Sequence, residues 1–332
     1  YFRKLQRAGQ LKSFSILNGK YLISMDGTEY FTSSSISCSA CLRKIRRNKK
    51  VQYSHQVLGA AIVNPDKRHV IPLAPEPIQN QDGAKKQDCE INAGKRLIKR
   101  IRKDHPKLEI IINADSLYSK RPFIEQLHKS RMSFILVAKP MDHKYLFKRI
   151  LEKENLEQIH RLEFTDHKGD THIYGWYNDL PLNGSAKAPQ INFFEYWIVK
   201  DTDKITWTSS WVTDIPVNKD NIKELVKAAR ARWKIENEKF NTLKNQGYHA
   251  DHNFGHDKKH LAFNFFLFIL LAFFVHQIIE MKDCLYQQAR AKSSARKEHW
   301  SALRSLIKFM VFDGWDDLLR FIISPPEASR SP

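Results

Sequence analysis

Along the first half of the chain the apolar positions switch between two periods. KYLISMDGTEYF (residues 20–31), VQYSHQVLGAAIV (51–63) and HVIPLAPEPI (69–78) are rich in β-branched and aromatic residues and are separated by turn residues such as Asn64, Pro65 and Asp66. They predict three strands. KQDCEINAGKRLIKRIRK (86–103) then places Ile91, Leu97, Ile98 and Ile101 where a helix would put them on one side, and Pro106 ends the pattern. LEIIINADSLY (108–118) reads as a buried strand whose apolar run stops at Asp115, PFIEQLHKSRM (122–132) as a short helix, and SFILVAKP (133–140) as another strand. Three strands, helix, strand, helix, strand is the order of an α/β layer on a mixed sheet. With the first strand beside the fourth, Asp26 and Asp115 would fall on neighbouring strands, and ligand sites in open α/β sheets commonly lie at strand ends.

The pattern changes after residue 161. IYGWY, INFFEYWIVKD and ITWTSSWVTD are aromatic and β-rich and are joined by the turn-like PLNGSAKAP, which predicts an inserted β subdomain. Helical periodicity returns over 222–244, followed by LAFNFFLFILLAFFV (261–275) and a helical tail near 300–323. The apolar run is about 15 residues, short of the roughly 18 to 20 that cross a bilayer; it contains Asn264 and ends at His276. It predicts a buried core helix.

Charge adds a partner class. Lysine and arginine exceed aspartate and glutamate by 55 to 36, a formal charge of +19. Such an excess costs self-repulsion and favours a polyanion, because neutralised phosphates release condensed counterions. Nucleic acid is the first expectation and an anionic membrane surface the second. The basic residues are densest in RKIRRNKK (43–50) and KRLIKRIRK (95–103), which suggests a broad groove. With 42% hydrophobic and 27% charged residues, the chain is not of the disordered class. Four cysteines form no disulfide framework and no signal segment opens the sequence, so a reducing cytoplasm is expected. Cys38-x-x-Cys41, with His55 and Cys89, has the donor types of a zinc site, but a second C-x-x-C pair is missing. Reduced thiols are the preferred reading there, and structural zinc at Cys38 and Cys41 the lesser one. GDTHIYG and DGAKKQD have no phosphate-loop spacing, so ATP is not implied.

RWKIENEKFNTLK (232–244) reads at first as an amphipathic helix with a solvated charged face. Taken together, however, MDGTEYF, NADSLYS and RWKIEN resemble the DDE transposases of bacterial insertion sequences, in the branch that carries β structure between the second and third acids. The resemblance covers nearly the whole chain. It implies an α/β fold: a ribonuclease H-like mixed sheet flanked by helices, with an inserted β subdomain and a helical C-terminal region. Residues 1–160 would form the first part of the core, 161–215 the insert, 216–280 the final core helices and 281–332 a tail. The first acid falls on Asp26, the second on Asp115 and the third on Glu236. These three would hold two Mg²⁺ or Mn²⁺ ions, for cleavage at transposon ends and strand transfer into target DNA. The implied partner is double-stranded DNA bound by a homodimer in the bacterial cytoplasm, at the nucleoid, without a membrane.

The chemistry has its own logic: cutting and rejoining a phosphodiester needs an activated oxygen and a stabilised leaving 3′ oxygen, which paired divalent ions supply. Hard ions want carboxylate oxygens. Two departures from the family pattern stand out, Ala229 where a tyrosine is usual and Leu243 where a lysine is usual, with Lys244 the next residue. Glu238 has the better spacing to Lys244 and is the alternative third acid. Arg232 and Glu236, four apart, share a helix face, whereas Glu238 lies about 200° further round. Arg232 and Lys244 are expected to hold phosphates. In relatives with a β insert an aromatic stacks on a flipped base, a role that would fall to Trp207 or Trp211, with core packing the alternative; such stacking is worth about 1 to 3 kcal/mol. A catalytically degenerate remnant that only binds DNA is the alternative function.

Overall fold

A computed structural model describes residues 2–79, 87–156, 158–200, 204–253, 255–256 and 258–326. Lys86, at the start of the first predicted helix, and most of DGAKKQD lie outside the described residues. The chain divides into two compact units, Tyr1–Glu236 and Asn237–Pro332.

The first unit contains, in chain order, α1 (Phe2–Arg7), β1 (Ser15–Ile16), β2 (Lys20–Ser33), β3 (Leu42–Ile45), β4 (Val51–Val63), β5 (Ile71–Ile78), α2 (Glu90–Asp104), β6 (Ile110–Ala114), α3 (Arg121–Lys129), β7 (Ser133–Val137), α4 (Lys144–Glu154), β8 (His160–Thr165), β9 (Thr171–Pro181), β10 (Gln190–Val199), β11 (Ile205–Thr213) and α5 (Ile222–Arg230). Its strands make one 11-stranded sheet in the order β3-β4-β2-β6-β7-β11-β10-β9-β8, with β5 also pairing β4 and β1 pairing β2. β2, β6 and β7 are parallel, and β4 runs antiparallel to β2. This is the mixed α/β sheet expected of a ribonuclease H-like fold. The β-rich residues after 161 are strands β8 to β11, and β11 joins the sheet by pairing antiparallel with β7.

The burial of each strand follows its sequence. All five residues of β6 are buried, as expected for a central parallel strand covered on both faces. β4 starts half-buried, and its last seven residues, VLGAAIV, are all buried. Register then places the acids. β2 pairs with β6 through Leu22↔Ile111, Ile23↔Ile112 and Ser24↔Asn113, so Asp26, midway along β2, and Asp115, just past the end of β6, each stand two residues beyond the last pair, where the two strands part.

Three elements depart from the predicted pattern. β3 is a strand, although RKIRRNKK shows no apolar alternation; it is an edge strand with three of four residues exposed, where charge replaces pattern. α4 fills the chain between β7 and β8. The helix predicted over 222–244 is interrupted: α5 ends at Arg230, tight turns follow at Ala231 and Arg232, and a π-helical stretch runs over Ile235–Asn241.

The second unit holds α6 (Thr242–Asn245), α7 (Leu261–Lys282), α8 (Cys284–Ala291), α9 (Arg296–Phe309) and α10 (Trp315–Ile323). Tyr286, Ala289 and Leu319 form a core with Ile279, Leu285, Ile322 and Ile323. A buried bidentate pair, Arg296 with Glu280 at 2.7 and 2.9 Å, ties α9 to α7. α7 corrects the length argument made from sequence. The helix runs 22 residues, beyond the apolar run, and is long and apolar enough to cross a membrane. One side is buried, through Phe266, Leu270, Phe273, Phe274 and Gln277, while Phe265, Phe268 and Leu271 are exposed.

Candidate active site

Asp26, Asp115, Arg232 and Glu236 all belong to the first unit. Asp26 is half-buried where β2 leaves the core, and its Oδ1 accepts from the Gly27 amide at 2.8 Å. Asp115 begins the turn after β6, its Oδ1 accepting from the Leu117 amide at 3.0 Å. Glu236 arrives from the broken helix, and the Arg232 guanidinium bridges it to Asp26, with Nη1 3.1 Å from Asp26 Oδ2 and 2.9 Å from Glu236 Oε1. The Arg232 to Glu236 spacing of four puts the two on one face, as read from the sequence, and there they close an ion pair. Of the two candidate third acids, Glu236 meets Asp26; Glu238 is half-buried on the π-helical stretch of the second unit.

The two carboxyls are electrostatically linked. Burial, and then a hydrogen bond to Glu236, push Asp26 up from 3.8 to about 7, against the opposing pull of Arg232. Burial also works to raise Glu236, but the hydrogen bond from Asp26 and the Arg232 guanidinium outweigh it and hold Glu236 below its ordinary value. The pair is thus one proton shared by two carboxyls, with one guanidinium beside them. The arrangement is an oxygen-rich donor set of the kind that suits a hard cation, with Arg232 as the positive charge beside it.

What seats the third acid is a buried amide. Asn113, on β6 and fully buried, donates from Nδ2 to the carbonyls of Ala228 at 2.8 Å and Ala229 at 3.1 Å. These are among the last carbonyls of α5, and they also accept from the Ala231 amide at 3.1 Å and the Arg232 amide at 3.3 Å. Their capture ends the helix against β6, and the chain then turns so that Arg232 and Glu236 face the strand ends. Ala229, at the position where a tyrosine is usual, is 2% exposed and acts here through its carbonyl.

A family model described as a transposase DDE domain matches residues 39–274, most of the chain. The chain belongs to the DDE transposases of insertion sequences. The match includes Asp115 and Glu236 and begins after Asp26. No curated protein matches the chain. Membership brings with it a transposase function, nuclease or transferase chemistry, divalent metal use in general and a DNA substrate.

One acid of this site escaped the sequence reading. Glu90, in the first turn of α2, is raised by burial and then by the charge of Asp115. Space for it depends on two glycines. A Cβ on Gly27 would collide with the Glu90 carboxylate, and one on Gly94, a turn along α2, would fall 2.9 Å from the Tyr118 ring. Burial and the carboxylates of Glu90, Asp115 and Asp26 hold the Tyr118 phenol far above its ordinary range. A first-turn glutamate reads as a favourable helix-dipole residue, so the sequence carried no signal of its nearness to Asp115.

The remaining candidates are scattered. Trp211 is 2% exposed and packs on Phe194 with ring centroids 5.2 Å apart, so its faces are covered. Trp207 is half-buried, with the Arg230 guanidinium 4.9 Å from its centroid. Lys244 is half-buried on α6 in the second unit. Cys38, Cys41 and His55 come together, whereas Cys89 precedes α2 as an exposed thiol.

Proposed function

We propose that the chain cuts DNA at the ends of its mobile element and joins the freed 3′ hydroxyl to target DNA, with Asp26, Asp115 and Glu236 as ligands for two Mg²⁺ or Mn²⁺ ions. The supporting observation is an aspartate pair placed where the parallel pairing of β2 with β6 ends, with a glutamate held to Asp26 through Arg232. The donor set fits a hard divalent ion: carboxylate oxygens only, partly desolvated, and carrying a proton that an ion would replace. When bound, such ions supply the activated oxygen and the stabilised leaving 3′ oxygen. The chain's own residues do the positioning. The sheet fixes Asp26 and Asp115, Asn113 seats the segment bearing Glu236, and Glu90 adds a carboxylate beside Asp115. In the metal-free chain Arg232 neutralises the carboxyl pair, and with ions in place it is freed for a DNA phosphate.

Lys244 and the exposed basic residues of the β3 edge provide phosphate contacts, and Trp207, with the more accessible indole, is the stacking residue of choice over Trp211. A concavity of about 620 Å³ bounded by Lys44, Arg46, Arg47, Asn48 and Gln52 suits a phosphate backbone. The working assembly is a dimer on two DNA ends in the bacterial cytoplasm, with residues 161–215 as the insert and 281–332 as the tail. α7 serves as a packing helix, since its last turns carry His276, bonded to the Tyr248 hydroxyl at 2.7 Å, and the buried Glu280–Arg296 pair, which a bilayer would penalise.

Asp115→Asn tests the reading. It should abolish Mg²⁺-dependent strand cleavage and joining while retaining DNA affinity; cleavage at the wild-type rate would remove Asp115 from the chemistry. Salt-sensitive binding by the wild type without any metal-dependent cleavage would instead select the degenerate, binding-only alternative.

A further inference from the structure

We propose that Cys38, Cys41 and His55 bind a structural zinc ion that fixes the base of the basic β3–β4 hairpin. The distances carry the inference. Cys38 Sγ and Cys41 Sγ are 3.7 Å apart, and His55 Nε2 stands 3.4 Å from the first and 3.5 Å from the second. A tetrahedral zinc with bonds of about 2.3 Å to sulfur and about 2.0 to 2.1 Å to nitrogen spaces its ligands by about 3.8 Å between sulfurs and about 3.6 Å between sulfur and nitrogen. All three edges agree to about 0.2 Å.

Neither a disulfide nor a hydrogen bond produces this triangle. A disulfide would bring the sulfurs to about 2.05 Å, far inside the observed 3.7 Å. A single hydrogen bond would tie the imidazole nitrogen to one sulfur, since a protonated nitrogen gives one hydrogen and a bare one has one lone pair to accept an S–H, and would leave the other sulfur without one. A shared cation satisfies all three atoms at once.

The surroundings are those of a ligand shell. The Cys41 amide donates to the Cys38 carbonyl at 3.1 Å, closing the turn that aligns the thiols, and the Cys38 amide donates to Cys41 Sγ at 3.4 Å, which favours a thiolate. Cys41 is 3% and His55 7% exposed, so the sulfur and nitrogen sit largely out of water. The imidazole packs on the rings of Tyr30 and Phe31, with centroids 5.7 and 5.6 Å away, which fixes its orientation. Three protein donors fill three corners, and the fourth takes water or a further donor.

The position gives the ion a task. Cys38 and Cys41 lie in the connection from β2 to β3, and His55 lies on β4. Between them runs RKIRRNKK, with six cations on an edge strand and its turn. Like charges this dense push the hairpin open, and a metal cross-link between its two arms opposes that. The zinc site rests on geometry alone; its effect on DNA grip rests on the function proposed above.

The test is elemental analysis of the full chain purified without chelator. One zinc per chain is expected, with loss in Cys38→Ser and His55→Ala and retention in Cys89→Ser. Should the first two variants fail to fold, X-ray absorption on the wild type decides: two sulfur donors at the zinc support the site. Zinc-free wild type that also takes up Co²⁺ without thiolate-to-metal absorption would overturn the proposal, as would zinc without sulfur donors or a Cys38–Cys41 disulfide in freshly isolated protein. Each readout is independent of strand cleavage, so failure of the transposition chemistry leaves the zinc result intact.

Discussion

Metal binding at the acid cluster should be coupled to one proton near neutrality. Asp26 titrates at about 7 because it is buried and hydrogen-bonded to Glu236. An ion that takes both carboxylates must displace that proton. The apparent affinity is reduced by the factor one plus ten raised to the pKa minus the pH: about 11 at pH 6 and about 1.1 at pH 8, so Mn²⁺ should bind about tenfold more tightly at pH 8, or about 1.4 kcal/mol. A pair of ordinary carboxylates, titrating near 4, would show almost no change over the same interval. The assay is calorimetric titration of the wild type with Mn²⁺ at pH 6, 7 and 8, in buffers of different ionisation enthalpy, so that released protons are counted directly. Close to one proton should be released at pH 6 and almost none at pH 8, and Asp26→Asn should abolish the release. The sign for stability runs the other way. A raised carboxyl stabilises the folded chain while protonated, and that contribution is lost as the pH rises from about 4 through about 7, so the metal-free protein should be less stable at pH 8 than at pH 5.5 in this respect. Affinity that stays flat from pH 6 to 8, or no proton release at pH 6, would refute the shared-proton description of Asp26 and Glu236.

Two further outcomes follow from the scaffold. Asn113→Ala removes the buried side-chain donor that the Ala228 and Ala229 carbonyls share in addition to their backbone donors, which should cost about 0.5 to 1.5 kcal/mol in urea unfolding and weaken Mn²⁺ affinity more than DNA affinity; unchanged values would show that the amide does not seat the Glu236 segment. Replacing Arg46 and Arg47 together by alanine should lower DNA affinity uniformly across sequences and reduce the slope of log affinity against log salt by about 2, measured by fluorescence anisotropy; an unchanged slope would take the hairpin off the DNA.

What could be read from sequence depended on whether its cause was local. β2 and β4 were legible because hydrophobic strands bounded by turns need no distant partner to be recognised, whereas the adjacency of Asp26 and Asp115 was conditional on the first strand lying beside the fourth, a pairing that the structure supplies. β3 was not, because an exposed edge strand buries too little to leave a period. α4 carries Leu146 and Ile150 at helical spacing, but its many lysines and arginines dilute that signal. The break after Arg230 was invisible for a different reason: the side chain that bonds to the carbonyls at this helix end, Asn113, lies more than a hundred residues away in the chain. The cysteine cluster lay between these cases. Its residue types were visible in the sequence, but only the pairing of β3 with β4 shows that His55 and not Cys89 joins Cys38 and Cys41.

Glu90 shows how the site sets stability against chemistry. A glutamate in the first turn of a helix gains about 0.3 to 1 kcal/mol from the helix dipole, and α2 has no side-chain cap that would compete with it. For that purpose alone, however, its carboxylate would do best facing water. Instead it lies beside Asp115 in a space kept open by Gly27, and both burial and the charge of Asp115 raise its pKa. A folded-state carboxyl that is raised stabilises the fold below its ordinary pKa and loses that contribution as the pH climbs through its folded value, so at pH 8 the charge is a liability in the metal-free chain. Glu90→Gln keeps the shape and removes the charge. It should raise the melting temperature of the metal-free protein at pH 8, where 1 kcal/mol corresponds to about 1.4 °C for a chain of 332 residues, and that gain should shrink or reverse under saturating Mn²⁺, because the ion then has one carboxylate fewer nearby. A variant equally stable with and without Mn²⁺ relative to the wild type would assign Glu90 to the helix and not to the site. A gain that vanishes on adding the ion would make it the fourth carboxylate of the centre.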